Sequence, residues 1–280
     1  MFDWWHELFS PGLGFLRYAM LLGLLAAPAL GVVGTMVVTR RISSLAGASA
    51  HVALGGVGLA LYLQRVWRWD FFTPELGAIL GAVTAALVVG VVSLCASERE
   101  DTVIGVVWAL GMAMGLLFLD RTPGYVDWQG YLFGNILLVS RTELYLTLAL
   151  DAAVLLPLAL FYDRLLAVSF DSTFARLRGV RATAIYLALL ALTALTIVLL
   201  MNVVGVILVI AMLTLPAATS GFFARHLWSM MLLSGILSAF FVVAGLLLSY
   251  FWQLPSGPAI VVLAGVVYLL ALILRRTRRT

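Results

Sequence analysis

The chain has 280 residues, 64% of them hydrophobic and 11% charged, with a formal net charge of +4 and a mean hydropathy of +1.12. Soluble domains carry about 25% charged residues, so there is too little charge here to cover a water-soluble globule. All 17 basic residues are arginine and lysine is absent, which excludes a P-loop and Schiff-base chemistry and assigns any ATP-driven step to another chain.

The opening MFDWWHELFSPGLGF places acids and tryptophans where a cleavable signal would have a basic region. Hydropathy and breakers then predict about nine spans (eight on a stricter count), long enough as helices to cross a hydrocarbon core of roughly 30 Å. The apolar runs are continuous rather than alternating, which excludes a β-barrel. The first span covers about 15–38 and ends at Arg40-Arg41; the second covers about 42–63, before Arg65 and Arg68. The third, about 74–96, holds the lone Cys95, read as a small buried hydrophobe. The charged turn Glu98-Arg99-Glu100-Asp101 leads into the fourth, about 102–119. A polar and aromatic stretch, 120–141, precedes the fifth span at about 142–162, and a basic loop, 163–181, follows it. The sixth (about 183–200) and seventh (about 203–223) are divided only by Met201-Asn202; the eighth covers about 230–252 and the ninth about 258–274. The expectation is an all-α, polytopic transmembrane bundle, with residues 1–280 as one domain.

Arginine bias gives the orientation. Nine spans put twelve arginines on the side of the C-terminal Arg275-Arg276-Thr277-Arg278-Arg279 and five on the other. The N-terminus is therefore expected outside and the C-terminus in the cytoplasm. The outer loops hold Asp3, Glu7, Asp70, Glu75, Asp120, Asp127 and Glu143, a field that favours an approaching cation. Trp4, Trp5, Trp67, Trp69, Trp128 and Trp252 fall near that outer boundary as an aromatic belt. Basic residues placed at span ends give no nucleic-acid patch.

Ionisable groups deep in a span are costly and mark functional sites. Two qualify, His51 and Asp151. His51 is about ten residues past Arg41, roughly 15 Å along a helix. Ser43, Gly47, His51 and Gly55 recur every fourth residue and share a face. A face of such small residues admits another backbone or leaves a cavity, so His51 is turned toward protein or a pathway. It is either a hydrogen-bonding core histidine or a metal ligand. Asp151 lies on a polar stripe with Thr147 and Glu143. It either lines a cation route or is a satisfied aspartate between helices. Pro216 is expected to kink the seventh span, and His6 and His226 read as solvated. Within the basic loop, residues 170–180 mix apolar and basic side chains at helical spacing, a pattern that lies on a bilayer or docks in a partner's groove.

Several of these segments together resemble the permease subunits of the bacterial ABC importers for zinc, manganese and iron. Arg40-Arg41-Ile42-Ser43, Ala50-His51 and Gly55-Gly56 resemble that family's signature on the second span. Glu100-Asp101-Thr102-Val103-Ile104-Gly105 is similar to its entry to the fourth, and Tyr131-Leu132-Phe133-Gly134-Asn135-Ile136-Leu137 to its outer loop. Phe170-Asp171 with Ala175 and Gly179 resembles the segment that couples to the ATPase. Val204-Gly205-Val206 through Leu213-Thr214-Leu215-Pro216-Ala217-Ala218, and Pro255-Ser256-Gly257, complete the series. The resemblance implies a homodimeric permease of the bacterial inner membrane with a metal pathway through His51 at the dimer axis. Two cytoplasmic ABC ATPase subunits would dock on Asp171, Phe174, Ala175 and Gly179 and use the ATP, and an extracytoplasmic binding protein would deliver the divalent metal. This chain itself would bind no cofactor. One departure is Gly47, where many members of the family carry an aspartate one turn before the histidine. A permease for a metal chelate or other small solute is the near alternative. An intramembrane enzyme lacks a visible nucleophile–base pair, and a structural scaffold would leave the ridge around His51 without a purpose.

Overall fold

A computed structural model describes residues 14–95, 100–124 and 139–277. Nine of its helices traverse the bundle: α1 (Gly14–Thr39), α2 (Ser43–Trp67), α3 (Pro74–Cys95), α4 (Glu100–Arg121), α5 (Arg141–Leu160), α8 (Ala182–Val204), α9 (Val206–Ser220), α10 (Leu227–Trp252) and α11 (Ser256–Thr277). Between α5 and α8 lie two short ones, α6 (Tyr162–Phe170) and α7 (Ser172–Leu177). Eight of these helices are long and apolar enough to cross a membrane. The remaining traverse, α9, has 15 residues and so spans about 22 Å.

Helix contacts give the direction of each traverse. Gly23 meets Val242 and Gly31 meets Gly235, so α1 and α10 run antiparallel. Gly56 meets Gly77 while Gly81 meets Val52, so α2 and α3 are antiparallel too. Gly55 packs on Gly111 and Gly58 on Gly115, which makes α2 and α4 parallel. Arg275 at the end of α11 lies over Phe222, just past α9. Arg40 at the end of α1 donates to the Val168 carbonyl of α6 and lies over Tyr186 of α8. One end of the bundle thus gathers the ends of α1, α3, α5, α9 and α11 with α6 and α7. The start of α1 stands at the opposite end, where Tyr18 meets Arg141 of α5. Nine traverses follow, with α9 as a shortened return.

Two groups of helices pack through small residues. The first is α2, held between α3 and α4; the second is α1 against α9, α10 and α5, with α11 on α9 and α10. Helix α8 ties them together, lying against α3 through Gly90, Leu187 and Leu190. Lipid tails are as apolar as leucine, so close packing has to supply the attraction between helices in a membrane. A Cβ on Gly55 would lie 2.5 Å from the Gly111 carbonyl oxygen and one on Gly115 2.6 Å from the Gly55 Cα. Between Gly56 and Gly77 the approach is closer still, each residue's Cβ position falling on the other's carbonyl.

Three sequence expectations are corrected. The break between the sixth and seventh spans is at Gly205 rather than Met201-Asn202. Its φ of +85° with ψ of 156° is a backbone conformation open to glycine. Cys95 is exposed, not buried, because α3 ends there. The 170–180 segment is not one helix, since Asp171 is extended at φ −148° and divides α6 from α7. Pro216 is accommodated inside α9. Trp67, Trp69 and Trp252 are exposed at the end opposite α6 and α7, as a belt would be. His6, Trp4, Trp5, Trp128, Arg99 and the 131–137 motif lie outside the described residues.

Replacing Gly56 with valine forces α2 and α3 apart. We expect it to lower the unfolding free energy in detergent by about 1–3 kcal/mol. Gly105→Ala, where an added Cβ meets nothing within 4 Å, is expected to leave the thermal midpoint unchanged.

Candidate functional site

The first turns of α2 carry the small-residue ridge, and His51 lies about 12 Å from the start of that helix, on the α6–α7 side of its middle. Its ring stacks on Trp108 of α4, with centroids 4.9 Å apart and an interplanar angle of 18°. The same indole covers Gly47, where an added Cβ would sit 3.4 Å from two of its ring carbons. One tryptophan therefore spans the full helical turn between Gly47 and His51. Farther along, Gly55 brings α4 into backbone contact. The ridge thus does both things small residues allow: it admits a helix at Gly55 and leaves room for a ring at Gly47. Ser43 is half-buried at the start of α2.

His51 is half-buried, and Trp108 is 36% exposed. The pair stands at the edge of the protomer, not in its core. The Nδ1 atom of His51 is enclosed and has no hydrogen-bond partner among the described residues. An enclosed polar atom without a partner costs about 1–3 kcal/mol, and such an atom needs an explanation. A neutral imidazole nitrogen is also a good metal ligand.

Asp151 is elsewhere. It is 7% exposed near the middle of α5, a helix that packs on α1 and α8, and its Oδ1 has no partner among the described residues. Thr147 donates to the Glu143 carbonyl instead of reaching toward it. Among the described residues no three His, Cys, Asp or Glu side chains gather to hold a metal. The two deep ionisable groups are therefore separate features. His226 is exposed and serves as the N-cap of α10, sharing reciprocal hydrogen bonds with Ser229.

The α6–α7 segment is built as a rigid knuckle. Asp171 caps α7 by accepting from Thr173 N and Phe174 N, both at 2.9 Å. At the other end Gly179 adopts φ +78°. Val180 N donates to the Ala175 carbonyl and Gly179 N to that of Arg176, the paired bonds of a Schellman stop. Ala175 is 1% exposed and packs with Val168 and Ala182, so it is the floor of the knuckle. The outward apolar side chains are Phe170, 80% exposed, and Leu177, 83% exposed, with Phe174 between them. Sequence reasoning missed Leu177 and Trp108, and named Phe170 only as part of the coupling motif. Trp108 had a usable signal: it is a tryptophan in mid-span, away from both interfacial belts.

Comparison with known proteins places these features. The model of the ABC 3 transport family matches residues 13–275. A probable metal transport system membrane protein of Chlamydia muridarum is 38% identical over 252 residues, covering 89% of this chain and 85% of that one. The manganese import system permease protein ScaB of Streptococcus parasanguinis is 32% identical over 265 residues, covering 95% and 92%. Among solved structures, PsaBC from Streptococcus pneumoniae in complex with Fab superposes with a TM-score of 0.83 at 30% identity, over 97% of this chain and 95% of that one.

Removing the indole uncovers the histidine. Trp108→Ala is expected to cost about 1 kcal/mol of stacking and to raise the rate at which diethylpyrocarbonate modifies His51, followed by peptide mass spectrometry in the folded protein. An unchanged rate would show that Trp108 does not cover it.

Proposed function

The chain belongs to the ABC 3 transport family, and on that premise we propose that it is the permease of an ABC importer that carries a divalent metal ion into the cytoplasm. It is a multi-pass plasma-membrane protein and a transporter subunit, with ATP hydrolysis performed by a partner ATPase. The observation that carries the metal reading is His51: a half-buried imidazole in an apolar span, with an enclosed nitrogen that nothing among the described residues satisfies. Its position at the protomer edge supports a pathway completed by a second copy of the chain, so that two His51 side chains would face a shared axis. A site with one neutral imidazole per protomer binds weakly, which suits passage better than storage. Manganese is the first metal to test, because ScaB is named for it. Imidazole without a carboxylate also suits zinc.

The α6–α7 knuckle fits the docking element for the ATPase. In that reading Phe170, Phe174 and Leu177 make the contact, whereas Asp171, Ala175 and Gly179 hold its shape. The arginines at the same end, Arg40, Arg41, Arg164, Arg176, Arg178, Arg181, Arg225, Arg275 and Arg276, support a cytoplasmic position for it by the positive-inside rule. The C-terminus is then cytoplasmic and the N-terminus outside, where an extracytoplasmic binding protein would deliver the metal.

Two experiments test this. His51→Ala, in the full transporter reconstituted into liposomes, is expected to abolish uptake of radiolabelled manganese or zinc while the permease still folds and retains its ATPase; uptake at the wild-type rate would remove His51 from the pathway. Leu177→Glu is expected to release the ATPase during purification, since it places a charge on an apolar contact. Gly179→Val should do the same indirectly, because a β-branched residue resists the left-handed backbone there. Normal co-purification of Leu177→Glu would mean that this face lies on the bilayer.

A further inference from the structure

Beside the knuckle, a crevice of about 610 Å³ opens between the end of α5 and the start of α8. Its rim carries three guanidinium groups, Arg164, Arg178 and Arg181, and none of its lining residues is acidic. Two of them are set by aromatic rings rather than by carboxylates: Arg164 lies over Phe161 and Arg178 over Phe174. The left-handed Gly179 turns the chain between Arg178 and Arg181, which brings both to the same opening. The N-cap of α8, Arg181, makes no side-chain capping bond, so its guanidinium is not engaged there.

Below the rim the character changes. Ala184 and Ala188, one turn apart on α8, continue the lining toward the middle of the span. On α5 the neighbouring outward face is Leu156 and Leu160, 61% and 79% exposed. These two faces belong to spanning helices, where exposed apolar surface suits hydrocarbon. The crevice therefore joins a cationic mouth at the level where spans end to an apolar slot that runs into the bilayer. Free phosphate would satisfy the mouth alone, and a neutral lipid the slot alone.

We propose that this crevice binds an anionic phospholipid, with the headgroup phosphate held by Arg164, Arg178 and Arg181 and an acyl chain along Ala184 and Ala188. Arginine suits a phosphate because its planar fork donates two parallel hydrogen bonds. The anionic leaflet supplies such lipids at this level. The site is independent of the metal reading but rests on the cytoplasmic placement of the knuckle proposed above. Its position against Gly179 places a bound lipid beside the base of the knuckle.

The test uses the full-length protein in mild detergent, titrated separately with phosphatidylglycerol, phosphatidylcholine and inorganic phosphate. Native mass spectrometry reads retained lipid, and the thermal midpoint reads stabilisation. Phosphatidylglycerol alone is expected to be retained and to raise the midpoint. Arg164→Gln and Arg181→Gln should each weaken retention roughly fivefold, with Arg164→Lys, which keeps the charge but loses the fork, weakening it less. Ala188→Trp, which fills the slot, should also reduce it. Arg276→Gln, at the same end of the bundle but outside the crevice, should leave retention as in the wild type. Equal retention of phosphatidylcholine, equal stabilisation by inorganic phosphate, or wild-type retention in both Arg164→Gln and Arg181→Gln overturns the proposal.

Discussion

Everything near His51 depends on how closely α2 can be approached. In water, burying leucine against leucine would hold helices together at an ordinary spacing. In lipid that drive is absent, and contact between backbones has to replace it. Gly56 with Gly77 brings α3 onto one side of α2, and Gly55 with Gly111 brings α4 onto another. Once those backbones touch, little freedom is left in the register of the three helices. Trp108 precedes Gly111 by three residues, so the Gly55–Gly111 contact delivers its indole to the level of His51 and Gly47.

That delivery explains the form of the site. A Cβ at position 47 would already rest in contact with the indole at 3.4 Å, so a longer side chain aimed the same way would meet the ring, and a smaller residue at 108 would leave the imidazole uncovered. Gly47 and Trp108 are one arrangement, in which an aromatic surface stands where a carboxylate would otherwise have room. Such a surface lowers the local dielectric and orients the histidine ring but donates no oxygen to a cation. On the pathway proposed above, a cation at His51 would meet imidazole nitrogen and an aromatic face. Asp151 does not correct this, since it is enclosed on a different helix with different neighbours.

The architecture was legible in the sequence because its causes are local. Long apolar runs, arginines at their ends and the absence of lysine give an all-helical membrane bundle, and the spacing of Ser43, Gly47, His51 and Gly55 gives their common face. What escaped is what depends on three dimensions. Trp108 is 57 residues from His51 in sequence, and nothing in the periodicity of α4 indicates which neighbour it covers. The helix break was put at Asn202, a residue that disfavours helices, but the surrounding apolar run continues α8 up to Gly205, where the backbone adopts a conformation that only glycine takes readily. The capping role of Asp171 could be read from its place before Ser172-Thr173-Phe174. That Ala175 is enclosed while Phe170 and Leu177 are exposed could not, because it rests on the packing of α7 against α6 and α8.

The knuckle and the histidine are connected by short, stiff links. Arg40 grips the Val168 carbonyl at 2.8 Å and lies over Tyr186, so the end of α1 is fastened to both α6 and α8. Arg41 then turns with φ +59°, and α2 begins two residues later. Any displacement of α6 and α7 therefore acts directly on the start of the helix that carries His51, eight residues beyond Ser43. A rigid helix transmits such a shift along its axis with little loss, since its hydrogen bonds resist compression. The shift would be felt where His51 meets Trp108, because α4 is held to α2 farther along, at Gly55 and Gly58, and not at the knuckle. Relative motion is thus concentrated at the stacked pair, whose near-parallel rings can slide past each other without losing their packing, whereas the other ring contact between these helices, Tyr62 on Phe118, is tilted at 43°.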